Sequence, residues 1–368
     1  MVWSGYDAGF LPTMELQNIR RLAVFKLRNI GDVLMLTPLL RALRETFPEA
    51  RITAVVNSGT EAMLAHNPHL DEVLIYQRDS SWWNEIRFLR ELRRRKFDLT
   101  IGFTEGQRTA WYSLLCGARY RFGLLKGKKV RKPWAYNFPM FPVREILHEV
   151  EKHFVVLGNA GLKLRESKPG NLCLVVPDDA RAWASDQFAA LRPARVIHLH
   201  PVSRWLWKCW GNEAMAAVID WLHSERNARV VVTTGPAQAE RDKARAIIRL
   251  CRTSPLFFDG NLSLGQIAAL SAESDGYFGV DTAPMHMAAA VGVPVLALFG
   301  PTNPSNWGPW TPLGRVLVTP CRCNQPAATE KCDWTRTRAC LAAISVTEVQ
   351  AALDEMLAMR KISPASAV

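Results

Sequence analysis

Phe25-Lys26-Leu27-Arg28-Asn29-Ile30-Gly31-Asp32 in the first half of the chain and Phe278-Gly279-Val280-Asp281-Thr282-Ala283-Pro284-Met285-His286 in the second have the same character. Each follows a short apolar run that suits a buried strand. Each precedes a pattern with helical period. Both read as strand-to-helix turns, and helix N-termini bind anions through their unpaired N–H groups. One such turn in each half predicts an α/β chain of two doubly wound, Rossmann-like domains facing across a cleft.

Outward from the first turn, Arg21 to Lys26 reads as a strand. A helix follows from Asp32 to about Thr46, with Val33, Leu36, Leu40 and Leu43 on one face. Pro38 lies inside that pattern and predicts a kink or a delayed regular part. Strands are expected at Arg51–Val56, Glu72–Tyr76 and Phe97–Ile101, and helices at Glu61–His66, Trp82–Arg95 and Gln107–Cys116. Arg119–Phe141 is basic and rich in glycine, proline and aromatics, and reads as a long substrate-contacting loop. Glu145–Leu157 (helix), Leu172–Val176 (strand) and Ala182–Leu191 (helix) complete this half. Around the second turn, strands are expected at Val196–Leu199, Arg229–Thr233, Gly276–Val280 and Val293–Phe299. Helices are expected at Glu213–His223, Ala237–Leu250, Leu264–Leu270, Pro284–Ala290 and Val346–Met359. The domains are placed at 18–185 and 186–344, and a C-terminal helix within 345–360 is expected to cross back onto the first. Strands alternating with helices imply parallel sheets covered on both faces.

Hydrophobic residues make up 48% of the 368, enough for large cores and too many for a disordered chain. The formal net charge of +12 favours an anionic partner. Between Arg87 and Lys132 stand 14 Lys or Arg against the three acids Glu91, Asp98 and Glu105. That stretch reads either as solvated or as a phosphate- or membrane-facing surface. No nucleic-acid-binding module is recognisable. The opening lacks the pattern of a secretory signal, and no apolar run is long enough to span a bilayer. A cytoplasmic protein touching the inner face of a membrane is expected. The thirteen tryptophans are expected mostly in cores and domain contacts. Four of the eight cysteines, Cys321, Cys323, Cys332 and Cys340, cluster without standard zinc-knuckle spacing. A metal site, a disulfide and unligated thiols all stay open there.

Asp32 reads both as a helix cap and as a carboxylate at the carboxyl end of a strand, able to take a proton from an attacking hydroxyl. Lys26 ends the strand, where an anion could meet it, and Arg28 offers a planar bidentate donor. The turn is neither a dinucleotide fingerprint nor a Walker A loop. In His200-Pro201-Val202-Ser203-Arg204-Trp205-Leu206-Trp207-Lys208-Cys209-Trp210, Arg204 and Lys208 are cations suited to a departing diphosphate, or a solvated pair. Asp281 or Thr282 caps the next helix, Pro284 fits its first turn, and its N–H groups suit phosphate oxygens. His286 lies one turn on. Thr302, in Phe299-Gly300-Pro301-Thr302-Asn303-Pro304, offers a ligand a hydroxyl or simply forms the turn. Trp307 and Trp310 suit either a base or sugar face or structural packing.

Taken together from about Arg21 to Leu353, these residues resemble the ADP-heptose–lipopolysaccharide heptosyltransferases, glycosyltransferase family 9, with the two-domain GT-B fold. The resemblance rests on Lys26 through Asp32, Thr37-Pro38, Phe47-Pro48 and Gly59-Thr60-Glu61. In the second half it rests on His200-Pro201, Lys208-Cys209-Trp210, Gly279 through His286 and Phe299-Gly300-Pro301-Thr302. Leu27-Arg28-Asn29-Ile30-Gly31-Asp32 is most similar to the side-branch, heptosyltransferase III type, where the chain-extending enzymes more often carry a serine pair. The resemblance implies an N-terminal acceptor domain, a C-terminal nucleotide-sugar domain, ADP-L-glycero-D-manno-heptose as donor and an inner-core heptose as acceptor. It also implies inversion at the anomeric carbon and no obligatory metal or cofactor; a monomer acting on a nucleotide sugar and a lipopolysaccharide core acceptor is expected. Carried over, Asp32 is the general base and Lys208 holds the donor phosphate and steadies departing ADP. Asp281 holds heptose hydroxyls. Thr282, Ala283 and His286, with Arg204 and Thr302, complete the donor site. Lys26, Arg28, Asn29, Lys126, Lys128 and Arg131 are assigned to the acceptor. Rival readings are a GT-B transferase of UDP- or GDP-sugars, a sugar epimerase, and a non-enzymatic polyanion-binding protein.

Overall fold

The structure, a computed structural model, describes residues 16, 18–77, 81–125, 133–143, 145–320 and 339–359. The chain divides into two compact units between Gly170 and Asn171. That point precedes the 185/186 boundary expected from the sequence, because the helix at Asp178–Phe188 packs on a helix of the second unit and joins it through Arg181–Glu273.

The first unit contains strands β1 (Arg21–Lys26), β2 (Arg51–Asn57), β3 (Glu72–Tyr76), β4 (Leu99–Gly102), β5 (Tyr120–Leu124) and β6 (Phe138–Met140). Its helices are α1 (Ile30–Leu34), α2 (Thr37–Thr46), α3 (Trp82–Arg94), α4 (Gln107–Leu115) and α5 (Glu149–Asn159). All strands run parallel, in the order β3-β2-β1-β4-β5-β6. β1 is buried from Leu22 to Lys26, as a central strand covered on both faces must be. Pro38 resolves the ambiguity of the first helix. α1 ends at Leu34, and α2 restarts with Pro38 in its first turn, where the missing N–H costs no hydrogen bond. Glu85 of α3 accepts hydrogen bonds from Tyr76 of β3 and Tyr112 of α4, and Phe88 packs edge-on against both rings. The expected loop at Arg119–Phe141 instead supplies the parallel strands β5 and β6, with Asn137 bonding the backbone of Arg119 and Arg121.

The second unit repeats the plan. Its strands are β7 (Arg195–His200), β8 (Ala228–Thr233), β9 (Leu256–Phe258), β10 (Gly276–Val280), β11 (Val295–Phe299) and β12 (Gly314–Val318). They are parallel and ordered β12-β11-β10-β7-β8-β9. The helices are α6 (Asp178–Phe188), α7 (Asn212–Arg226), α8 (Gln238–Leu250), α9 (Leu264–Glu273), α10 (Ala283–Ala290), α11 (Pro304–Trp307), α12 (Ala339–Ala342) and α13 (Val346–Ala358). Counted within the unit this is again the order 3-2-1-4-5-6 of a doubly wound dinucleotide-type sheet. α13 packs on its own unit. Val349, Ala352, Leu353 and Met356 are buried in the second unit's own core, and Arg226 of α7 pairs with Asp354. Its apolar face is thus satisfied locally.

Two further readings are corrected. Leu172–Val176 joins no ladder; Leu172 and Val176 are buried singly, which apolar contacts permit without strand pairing. Of the described tryptophans only Trp210 and Trp221 are buried, while Trp82, Trp83, Trp111, Trp134 and Trp205 are exposed. Cys321, Cys323 and Cys332 lie outside the described residues, and Cys340 is buried.

Candidate active-site clusters at the two switch points

In a sheet of this order the crevice for ligands opens beyond the carboxyl ends of the two central strands, where the chain reverses its direction of winding. In the first unit those strands are β1 and β4; in the second they are β7 and β10. The loops after three of them, β1, β7 and β10, carry residues singled out by the sequence.

The loop after β1 is tied from both sides. The Leu27 N–H donates to Thr104 Oγ1 at 2.7 Å, beyond β4, and Asn57 Nδ2, at the end of β2, donates to the Arg28 carbonyl at 3.0 Å. Asn29 caps α1, and Asp32 Oδ2 accepts from the Asn29 N–H and Nδ2, each at 3.3 Å. The half-buried Asp32 therefore has a capping role. Both of those bonds use one oxygen, so the carboxylate keeps acceptor capacity for a substrate hydroxyl. Arg28 and Asn29 are exposed beside it, with the Arg28 guanidinium 3.9 Å from Glu105.

Lys26 does not stand with them. It is 1% exposed, and its Nζ donates to Glu149 Oε1 at 3.2 Å and His153 Nε2 at 2.9 Å, both on α5. A lysine ammonium only donates, so His153 Nε2 accepts. Burial, helped by the Lys26 charge, holds His153 well below its ordinary pKa and therefore neutral. In this structure Lys26 is an internal strut rather than an exposed anion ligand: its side chain is only 2% exposed, against 16% for Lys208. Lys126, Lys128 and Arg131 lie outside the described residues.

The second unit brings three expected residues together from three loops. Lys208 ends the short 3₁₀ turn Leu206–Lys208 after β7, Asp281 follows β10, and Thr302 follows β11. Asp281 Oδ2 accepts from Lys208 Nζ and from Thr302 Oγ1, each at 2.6 Å. Asp281 is 5% exposed, and the Lys208 ammonium also lies 5.4 Å from the Trp207 ring centroid. A carboxylate this buried needs such hydrogen-bond partners to offset its desolvation. Gly279 permits the approach of β10 to β7: a Cβ there would lie 2.6 Å from the His200 carbonyl oxygen.

Thr282 is the N-cap of α10 in extended conformation, without a side-chain capping bond, and Ala283 opens the helix ahead of Pro284. Pro284 has no N–H and the Met285 N–H donates to the Thr282 carbonyl, so the N–H groups of Thr282 and Ala283 are those in position to receive anionic oxygens. His286 is buried one turn further along. Arg204 stands apart, exposed and stacked 5.1 Å over Trp205.

Glu240 was missed. It lies in the first turn of α8, 8% exposed, and burial raises its pKa, opposed by a backbone hydrogen bond from Ala237 and the Arg204 charge. Gly235 makes room for it, since a Cβ there would be 2.6 Å from its carboxyl oxygens. The turn Thr234-Gly235-Pro236 after β8, followed by a first-turn Glu, was the available signal. Among the described residues no cluster of three or more His, Cys, Asp or Glu side chains suits a metal ion. No described helix is long and apolar enough to cross a membrane.

Residues 85–335 match the family described as "Glycosyltransferase family 9 (heptosyltransferase)". The chain is 28% identical over 299 residues to lipopolysaccharide heptosyltransferase 3 of Escherichia coli K12, covering 77% of this chain and 84% of that protein. Among solved structures, a glycosyl transferase family 9 protein from Veillonella parvula superposes with a TM-score of 0.79 at 24% identity, over 94% of this chain and 99% of the other. The structure of E. coli ADP-heptose lps heptosyltransferase II gives 0.73 at 20% identity, over 92% and 98%. These likenesses show the fold, two Rossmann-type domains as in GT-B proteins.

Proposed function

The chain belongs to glycosyltransferase family 9, the heptosyltransferases, and is a sugar-transferring enzyme; on that premise we propose that it moves L-glycero-D-manno-heptose from ADP-heptose to an inner-core heptose of lipopolysaccharide. The proposed subtype is the side-branch, heptosyltransferase III type. It rests on the Leu27–Asp32 loop and on the E. coli relative of that name. The observation that carries the donor reading is the convergence of Lys208, Asp281 and Thr302 at the second unit's switch point.

In the proposed reaction the acceptor hydroxyl attacks the anomeric carbon from the face opposite the diphosphate, so configuration inverts. Asp32 takes the hydroxyl proton. Its place in the first turn of α1 keeps the carboxylate beside positive helix-end dipoles while the proton moves. The bond from the anomeric carbon to the diphosphate oxygen breaks, and Lys208 turns its ammonium to the charge growing there. Asp281 and Thr302 hold donor hydroxyls, and the N–H groups at Thr282 and Ala283, with His286, hold phosphate oxygens. Arg204 is proposed for the same phosphate end. Arg28 and Asn29 orient the acceptor, with Lys126, Lys128 and Arg131 proposed toward its phosphates. No metal or further cofactor is assigned a role. The enzyme is proposed to act as a cytoplasmic monomer at the inner membrane face.

Calorimetric titration with ADP, run beside a transfer assay, tests this. Asp32→Asn is expected to bind ADP normally and lose at least about 100-fold in turnover. Lys208→Ala is expected to lose ADP affinity. Near-normal turnover by the first variant rejects the base assignment; unchanged affinity and turnover in the second reject the diphosphate site.

A further inference from the structure

The outward side of α3 has no place in that chemistry. Phe88 and Leu92 are buried against the sheet, and Glu85 points inward to Tyr76 and Tyr112. At 100° per residue, Trp83, Arg87, Arg90 and Arg94 line the opposite side, with Trp82 and Arg93 on one flank. All six are exposed. Trp82 and Trp83 are 60% and 62% exposed and stacked on each other, centroids 3.6 Å apart.

The charge on this side is one-signed. The nearby acid Glu91 pairs with Arg95, whereas Arg87, Arg90, Arg93 and Arg94 have no ion pair among the described residues. Where α3 ends, a cavity of about 260 Å³ is lined by Arg21, Arg51, Arg94 and Arg95 against the single acid Glu72. Arg95 holds that carboxyl below its ordinary pKa, so it is ionised and the cavity remains net positive.

We propose that this side of α3, from Trp82 and Trp83 to Arg94, docks the enzyme on the surface of an anionic phospholipid bilayer. Arginines over anionic headgroups supply attraction, and each basic residue near such a surface contributes comparably. Indole rings prefer the boundary between headgroups and acyl chains. Two rings already stacked on each other leave no gap for an intervening nucleobase, which favours a bilayer over a nucleic acid. The assignment rests on the reading that the acceptor is lipid-linked.

The test is sedimentation with vesicles of equal phosphatidylglycerol and phosphatidylcholine, and with phosphatidylcholine alone, at ~0.1 M salt. The full chain is expected to partition strongly only to the anionic vesicles. Arg87→Gln/Arg90→Gln/Arg94→Gln is expected to partition roughly 100-fold less. Trp82→Ala/Trp83→Ala is expected to partition less as well. Both variants should keep parental circular dichroism and parental transfer to a soluble, lipid-free core oligosaccharide. Parental vesicle binding by either variant overturns the proposal. So does equal binding to phosphatidylcholine alone, or heparin binding that needs the arginines while vesicle binding is absent. Loss of transfer to every acceptor by the parent protein would instead refute the heptosyltransfer reading, leaving the vesicle result to judge the surface.

Discussion

Lowering the pH from 7 to 5 is expected to weaken the second unit through two buried histidines. His198 Nδ1 lies 2.7 Å from Ser271 Oγ, its Nε2 2.7 Å from Thr233 Oγ1, and His200 Nδ1 2.8 Å from the same hydroxyl. Neither ring reaches solvent, and burial pushes each pKa down to about 3, with the neighbouring His200 adding to the effect on His198. In the unfolded chain each titrates near 6.5. The sign follows: above pH 6.5 both states are neutral and the histidines contribute no pH dependence. Below it the unfolded chain binds protons that the folded unit refuses until about pH 3, so stability falls throughout that window. Integrated from pH 7 to pH 5, each histidine costs about 2 kcal/mol, and the pair about 4. Urea unfolding followed by circular dichroism at both pH values measures this, with His198→Gln/His200→Gln as the control that removes both titrations. The reasoning is refuted if parent and control lose the same free energy between pH 7 and pH 5. Because His200 and Thr233 end β7 and β8, beside the donor loops, ADP affinity should fall in parallel as the unit loosens.

Gly279→Ala should cost about 3 kcal/mol in urea unfolding and reduce ADP binding, because its methyl group would meet the His200 carbonyl at 2.6 Å; parental stability would show that β7 and β10 have room to part. Lys26→Met should destabilise the first unit by about 3 kcal/mol by leaving Glu149 without its buried partner, and Lys26→Met/Glu149→Leu should recover part of the loss. An additive double variant would deny the strut. Asp281→Asn should weaken donor turnover more than ADP affinity, since it leaves Lys208 free for phosphate; calorimetry beside initial rates separates the two effects.

β1, β10 and the turns after them are legible because each strand has a predominantly apolar centre, Leu22–Phe25 and Tyr277–Val280, followed by residues with one strong conformational preference. Asp281, Lys208 and Thr302 could be chosen individually from such turns. Their meeting depends on β11, β10 and β7 being adjacent, which strand order decides and local sequence does not. The edge strands β9 and β12 and the short β6 escaped notice because short, partly exposed segments carry little period-two signal and are defined by their neighbours. The burial of Lys26 is not legible for a related reason: its partners lie on α5, well over a hundred positions away in the chain. The burial of Glu240 is not legible because a first-turn glutamate is ordinarily a solvated, dipole-favoured residue, and nothing local in the sequence marks the room that Gly235 leaves for its carboxyl.

Mass spectrometry with linkage analysis, after incubation with ADP-heptose and a heptose-terminated truncated lipooligosaccharide, addresses the central claim most directly. One heptose should be added to the acceptor by the parent protein and none by Asp32→Asn. Transfer from a UDP- or GDP-sugar in preference to ADP-heptose, or undiminished addition by Asp32→Asn, would contradict the account.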